Sequence, residues 1–270
     1  MILDYSEYIK RAGSHGVVNF KSSDYNVDLF NEDSICPFCK RKIGRIVYQK
    51  QKSDTPEWLF GTFNQMEYVV QCPDCGWWEY RYKNQSDAIL DRIRASDLKI
   101  VTSVLKKYED SSKTVPIQML NKYIFDHPDK IYGISDKKME ELVQSVFSNY
   151  YKCHVELVGK SHDGGKDLIL VDSNTPSFVQ VKRRMSPTKV EAVLGIRELL
   201  GATILSDNAK SCIFVTTADH FSKPAQTAAQ KAVEKHLVEK FELIDCKSFL
   251  NMMTLTRDLV VDIWKSLLTL

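Results

Sequence analysis

Three polar residues are spaced for work on a charged ligand. Asp167 heads the run Asp167-Leu-Ile-Leu, and Gln180 and Lys182 lie two apart in Ser177-Phe-Val-Gln-Val-Lys-Arg-Arg. In an extended chain Gln180 and Lys182 share one face, and Val179 and Val181 point the other way, into a core. A turn through Asp172-Ser-Asn-Thr-Pro176 would pair the two strands and bring Asp167 within reach of that polar pair. A carboxylate, a side-chain carbonyl oxygen and an ammonium converging at a strand edge can hold a hard divalent cation and a phosphate oxygen. That is the equipment of metal-assisted phosphodiester cleavage. The plain alternative is an ordinary strand pair with solvated polar residues. The apolar alternation around Gln180 and Lys182 speaks against it.

A second set of residues points to a different metal. Cys36-Pro-Phe-Cys39 and Cys72-Pro-Asp-Cys75-Gly76 are two C-x-x-C knuckles, separated by the strand-like runs Arg45–Gln49 and Met66–Gln71. Four thiolates at tetrahedral spacing make a closed zinc site, structural and without an open coordination position. Redox and iron–sulfur readings fit paired Cys-Pro-x-Cys knuckles less well. The aromatics Trp58, Phe60, Trp77, Trp78 and Tyr80 either fill the small core of this ribbon, the reading we favour, or stack on a ligand.

These residues need elements to position them. Ser86 to Tyr108 has helical spacing (Ala88, Ile89, Ile93, Leu98, Val101, Val104, Leu105), with Ser86 as N-cap, and predicts a helical connector. A polar linker, Glu109–Thr114, leads to a short helix around Ile117–Phe125 that Pro128 ends. Ser135 caps a helix over Asp136–Tyr151 with the apolar stripe Met139, Leu142, Val143, Val146, Phe147 and Tyr150. On that helix Glu140 flanks the stripe and Glu141 faces water. Strands follow at His154–Val158, Lys166–Val171 and Phe178–Lys182, then a helix over Lys189–Leu205 and an apolar strand, Cys212–Thr216. A helix opened by Pro224 runs to about Lys240, and Phe241–Asp245 closes the sheet before two more helices.

At 270 residues, with 43% apolar and 27% charged residues, the chain suits a globular protein of one large or two modest domains. A net charge of +2 excludes binding of nucleic acid through bulk charge and leaves local patches such as Lys40-Arg-Lys42 and Lys182-Arg-Arg184. No apolar run reaches membrane-spanning length, and the seven cysteines, without a secretory signal, predict a cytoplasmic protein with no membrane partner.

The Asp163-Gly164-Gly165-x-Asp167…Gln180-x-Lys182 pattern resembles the Mrr-type branch of the restriction-endonuclease-like (PD-(D/E)xK) superfamily, which carries Gln where most relatives carry an acid. The resemblance spans Ile117 to Leu255. It implies an α/β fold: a mixed-sheet nuclease core flanked by helices. Ahead of that core we expect a small β-rich zinc ribbon and a helical connector. The expected domains are 1–83 (ribbon), 84–130 (connector) and 131–270 (nuclease). The resemblance also implies that Glu140 joins Asp167, Gln180 and the Val181 carbonyl around a catalytic Mg2+ (Mn2+ as alternative), with Lys182 orienting the attacking water or meeting charge on the phosphate. Asp163 either contacts a second metal or caps its turn, the turn being favoured. Lys166, Arg183, Arg184, Thr217 and Ser222 are candidate nucleic-acid contacts. His162 and His220 read as loop histidines.

The function expected is Mg-dependent DNA endonuclease activity in defence against foreign DNA. Expected partners are DNA, a second copy in a homodimer, and an NTPase or other defence protein for any energy-driven step. Two rival readings stay open: a non-catalytic binding module on a nuclease fold, and a nuclease acting on RNA or branched DNA.

Overall fold

The computed structural model describes residues 1–18, 34–43, 46–55, 61–88, 93–158, 166–171, 176–206, 209–256 and 262–269. The chain divides into two compact units, one of Leu3–Lys107 with Val261–Leu270 and one of Met1–Ile2 with Tyr108–Val260.

The first unit is a five-stranded sheet in the order β1-β5-β4-β3-β2, built from β1 (Ile2–Val18), β2 (Ile46–Asp54), β3 (Gly61–Gln71), β4 (Trp78–Ala88) and β5 (Ile93–Tyr108). The ladders β2–β3, β3–β4 and β4–β5 are antiparallel. The helix predicted over Ser86–Tyr108 is therefore absent: Ser86 lies in β4, opposite Phe63 on one side and Ala95 on the other. The apolar residues fit a helical period by count, but the buried ones obey period two. Val101 and Ser103 are both buried, with Thr102 between them donating to Glu79. β-Branched Ile100, Val101, Thr102 and Val104 suit a pleated surface, and β4 supplies the partner. Trp77, Trp78 and Tyr80 are all buried, so they are core residues of this sheet. Trp58 and Phe60 lie outside the described residues. A 3-10 turn, Ile263–Leu267, sets Trp264 beside Tyr48, and the following Thr269 N–H donates to buried Glu67 at 2.6 Å.

The second unit begins with α1 (Ile117–Asp126), a 3-10 turn (Pro128–Gly133) and α2 (Asp136–Tyr151). β6 (His154–Leu157), β7 (Leu168–Val171), β8 (Ser177–Lys182), β10 (Ser211–Thr216) and β12 (Lys240–Ile244) form one mixed sheet in the order β12-β10-β8-β7-β6. β6, β7 and β8 are antiparallel neighbours, whereas β8–β10 and β10–β12 are parallel. The parallel steps are made through α3 (Val193–Ile204) and α4 (Lys223–Glu234), and α5 (Cys246–Leu255) follows. A second small sheet pairs β9 (Val190–Glu191) with β11 (His220–Phe221) in parallel. The element order helix, three strands, helix, strand, helix, strand is the one expected.

Phe178, Cys212 and Phe214 pack with Ile196 and Leu199 of α3 and with Ala225, Ala229 and Ala232 of α4. Alternation turns Val179, Val181, Ile213 and Val215 to the opposite face, where α2 meets β8 and α5 meets β10. The unit is thus helix, sheet, helix.

Ser135 caps α2 as expected, its Oγ accepting from Lys138 N–H at 3.3 Å. The stripe is fully buried from Met139 to Phe147, but Tyr150 is exposed. Glu141 does not face water; it pairs one turn back with the ammonium of buried Lys138. α3 begins at Val193 rather than Lys189, because Val190 and Glu191 are taken into β9. α4 stops at Glu234, short of the predicted Lys240: His236 adopts φ of 54°, and Leu237 N–H returns to Ala232 O at 2.9 Å.

Candidate active site

The site grows from the point where β7 leaves β8. Their ladder runs to Leu168↔Val179 and goes no further. There Asp167 N–H donates to Val179 O at 2.9 Å, and Asp167 Oδ2 accepts the Val181 N–H at 2.7 Å. A side-chain carboxylate thus takes the place of a strand carbonyl and straddles Gln180. The pairing read from sequence is present, with the carboxylate held between the backbones on either side of Gln180.

Gln180 is buried, and its Oε1 has no hydrogen-bond partner among the described residues. It is roofed by α3. Gly195, in the first turn of α3, lies tight against Phe214 and over the Gln180 oxygen. A Cβ there would stand 2.9 Å from Phe214 Cε2 and 3.8 Å from Gln180 Oε1. A buried amide oxygen without a donor costs free energy comparable to a lost hydrogen bond. A cation is a natural partner for it. Of the expected ligands, the Asp167 carboxylate, the Gln180 oxygen and the Val181 carbonyl are oxygen donors of the kind that Mg2+ or Mn2+ takes, and Glu140 is half-buried on α2, which packs on the Val179 and Val181 side of β8.

Lys182 ends β8 in register with Thr216 of β10 and, by alternation, shares the face of Phe178 and Gln180. Its carbonyl accepts from Thr217 N–H at 3.1 Å. The residues after it are anchored in the fold. Arg183 Nε donates to Asp136 Oδ1 at 2.8 Å and its Nη1 to Tyr132 O at 3.1 Å, tying the end of β8 to the start of α2. Arg184 grips Glu191 through Nε at 2.9 Å and Nη2 at 2.5 Å, which raises the guanidinium's affinity for its proton. Thr217 is buried and exchanges bonds with the Arg184 backbone, Ser222 caps α4, and the Lys166 ammonium lies 4.4 Å from the Phe178 ring centre. Each expected nucleic-acid contact therefore has a partner inside the protein. His220 is an exposed loop residue paired with Asp219. His162, Asp163, Gly164, Gly165 and the turn at 172–175 lie outside the described residues. Sequence reading missed Glu191, since a lone acid in Lys-Val-Glu-Ala carries no spacing signal.

In the other unit the four cysteines converge. Cys36 Sγ lies 3.6 Å from Cys75 Sγ and Cys39 Sγ 3.5 Å from Cys72 Sγ, and all four lie within 4.8 Å of one another. Tetrahedral zinc with Zn–S of about 2.3 Å sets sulfurs roughly 3.8 Å apart, so the cluster fits. The knuckles are alike: Lys40 N–H donates to Cys36 O and Gly76 N–H to Cys72 O, both at 3.0 Å. The residue after each second cysteine is left-handed, Lys40 at φ 63° and Gly76 at φ 76°. Burial pushes the Cys75 and Cys72 thiols up, a cost that a bound cation would offset.

Residues 131–253 match a protein-family model described as restriction endonuclease (Mrr_cat). No curated protein matches the chain. Among solved structures, the restriction endonuclease FokI bound to DNA is similar at 12% identity and a TM-score of 0.38, over 57% of this chain. The chain covers 29% of that protein. No described helix is long and apolar enough to cross a membrane. The stretch that matches the restriction endonuclease (Mrr_cat) family model is the one that holds Glu140, Asp167, Gln180 and Lys182.

Proposed function

We propose that the α/β unit is a metal-dependent DNA endonuclease and that the four-cysteine cluster holds a structural zinc ion. The observation that carries the first reading is the Asp167 carboxylate fixed by the Val181 N–H beside an unpartnered, buried Gln180 oxygen. A hard cation supplies what that pair lacks. Asp167 is the central ligand, Gln180 Oε1 and the Val181 carbonyl add neutral oxygens, and Glu140 adds the second negative charge that Gln180 cannot. When bound, Mg2+ or Mn2+ offsets charge on the scissile phosphate and makes a coordinated water more acidic. Lys182 orients that water or meets charge growing on the phosphate. The family's description supports DNA as the substrate and defence against foreign DNA as the setting. Two cuts from one site per chain call for two copies, so we propose a homodimer, with any energy-driven step left to an NTPase partner.

The test is incubation of the purified protein with plasmid, single-stranded DNA and RNA, with Mg2+ and with chelator. Magnesium-dependent DNA cleavage is expected, reduced by about 10²–10³-fold in Asp167→Ala and Lys182→Ala. Parent-rate cleavage by both variants would refute the site. DNA binding without cleavage by any of the three proteins would make the chain a binding module, and preferential cleavage of RNA would move its substrate.

A further inference from the structure

A buried acid that touches none of the proposed ligands lies beside the end of β8. Glu191 sits on β9 with its side chain only 2% exposed. Its Oε1 accepts from Arg184 Nη2, and its Oε2 from Arg184 Nε and, at 2.8 Å, from the Thr216 hydroxyl. That hydroxyl has one proton and two acceptors in reach, the other being the Lys182 carbonyl at 3.1 Å. The nearer, charged oxygen takes the proton. The hydroxyl oxygen is then oriented to accept from Ala218 N–H at 3.1 Å, and the Lys182 carbonyl is left to Thr217 N–H. Two residues on, Arg184 N–H donates to Thr217 Oγ1 at 2.6 Å. Thr216, Thr217, Arg184 and Glu191 thus form a knot against the end of β8, in addition to the Arg183 bonds to Asp136 and Tyr132.

A buried carboxylate is costly unless paired, and replacing such pairs by apolar groups is often neutral or stabilising. Stability alone is therefore a weak reason for this ion pair beside Lys182. We infer that Glu191 is a positioning residue, acting through Thr216 and Arg184 to fix the direction of the Lys182 side chain. This rests on the nuclease reading for its consequence in catalysis, though not for its consequence in structure. Thr217 N–H on the Lys182 carbonyl and Thr217 Oγ1 on the Arg184 N–H hold the backbone where Lys182 leaves β8.

The test uses the full-length protein and three variants, Glu191→Gln, Thr216→Val and Thr216→Ser. Gln keeps the shape of Glu191 but turns an amide toward the guanidinium, Val keeps the shape of Thr216 without its hydroxyl, and Ser restores the hydroxyl. Cleavage kinetics and the NMR chemical shifts of the Lys182 carbonyl carbon and Cβ are measured for each. The expected result is a fall in kcat of up to about 10²-fold with KM for DNA little changed in Glu191→Gln and Thr216→Val, as misplacement of a reacting group produces, and recovery in Thr216→Ser. The Lys182 chemical shifts should move in the first two and return in the third. Unchanged Lys182 chemical shifts in a folded Thr216→Val protein would overturn the inference, as would a fall in kcat accounted for by loss of folded protein. Should the parent not cleave DNA, the nuclease reading fails, and the Lys182 chemical shifts still decide the positioning role.

Discussion

The two units solve the problem of holding strands together by different means. In the N-terminal unit two chain reversals, Cys36–Lys40 and Cys72–Gly76, meet at four sulfurs, and Tyr68, Val70 and Trp77 pack against that cluster. In the α/β unit Phe147, Phe214, Ile196 and Leu199 are buried in an apolar core, and the polar residues are arranged around it. On the function proposed above, thiol chemistry serves the fold and the oxygen-bearing side chains serve the reaction. A metal would be a girder in one unit and a tool in the other. A closed set of four sulfurs leaves no place for substrate, whereas three or four oxygens beside a lysine leave several.

This contrast can be broken experimentally, beginning with the largest effect. If zinc is the girder, its removal by a strong chelator, or Cys72→Ser, forfeits a metal contribution of about 10–16 kcal/mol at neutral pH. Hydrogen exchange should then show lost protection in β3 and β4 while amides of β8 and β10 stay protected. Metal analysis of the intact protein should find about one zinc per chain, and zinc-free protein with a protected β3 would end this reading. Next comes Phe147→Ala, which removes a fully buried ring stacked edge-on against Tyr151 at 5.3 Å and should cost about 3–5 kcal/mol by denaturant unfolding. A loss under 1 kcal/mol would mean that this core tolerates a hole. Gly76→Ala sharpens the comparison within the knuckles themselves. The added Cβ would stand 2.6 Å from the Tyr5 ring, on a backbone that costs side chains about 1–2 kcal/mol. Lys40 bears the same left-handed backbone at the other knuckle, so the excess cost at Gly76 measures the Tyr5 contact. Equal tolerance at the two positions would contradict it. The smallest effect is expected at Ser135→Ala, about 1 kcal/mol from the lost cap of α2, read as a shift in thermal midpoint.

Much of the α/β unit was legible because its signals were local and redundant. Ser135, the stripe from Met139 to Phe147, and the apolar run Cys212–Thr216 each state their element type in one short window. The thiol cluster was legible for a similar reason, since the C-x-x-C spacing fixes the ligand number. The strand β5 was misread because Ala88, Ile93, Leu98, Val101, Val104 and Leu105 satisfy a helical count, and only pairing with β4, a tertiary fact, decides between the periods. The start of α3 was misplaced for the same reason: Val190 and Glu191 are drawn into a two-stranded sheet by His220 and Phe221, thirty residues away. At the site, sequence spacing predicted that Asp167 would meet the Gln180 strand. It gave no hint that the meeting is a backbone hydrogen bond, that Gln180 is roofed by α3, or that Arg184 faces inward to Glu191. Those facts depend on which layer covers the strand, and a single sequence does not carry layer assignments.

The bond from the Val181 amide to Asp167 has one more consequence. An asparagine at position 167 could offer its own oxygen to that amide and leave the end of the β7–β8 ladder undisturbed, so melting curves and spectra would register nothing. Its NH2 group would then stand where the second carboxylate oxygen now stands and turn a donor toward any approaching cation. If Asp167 holds a cation as proposed, the architecture hides a damaging substitution behind an intact scaffold, and assays of ion binding and cleavage would expose it.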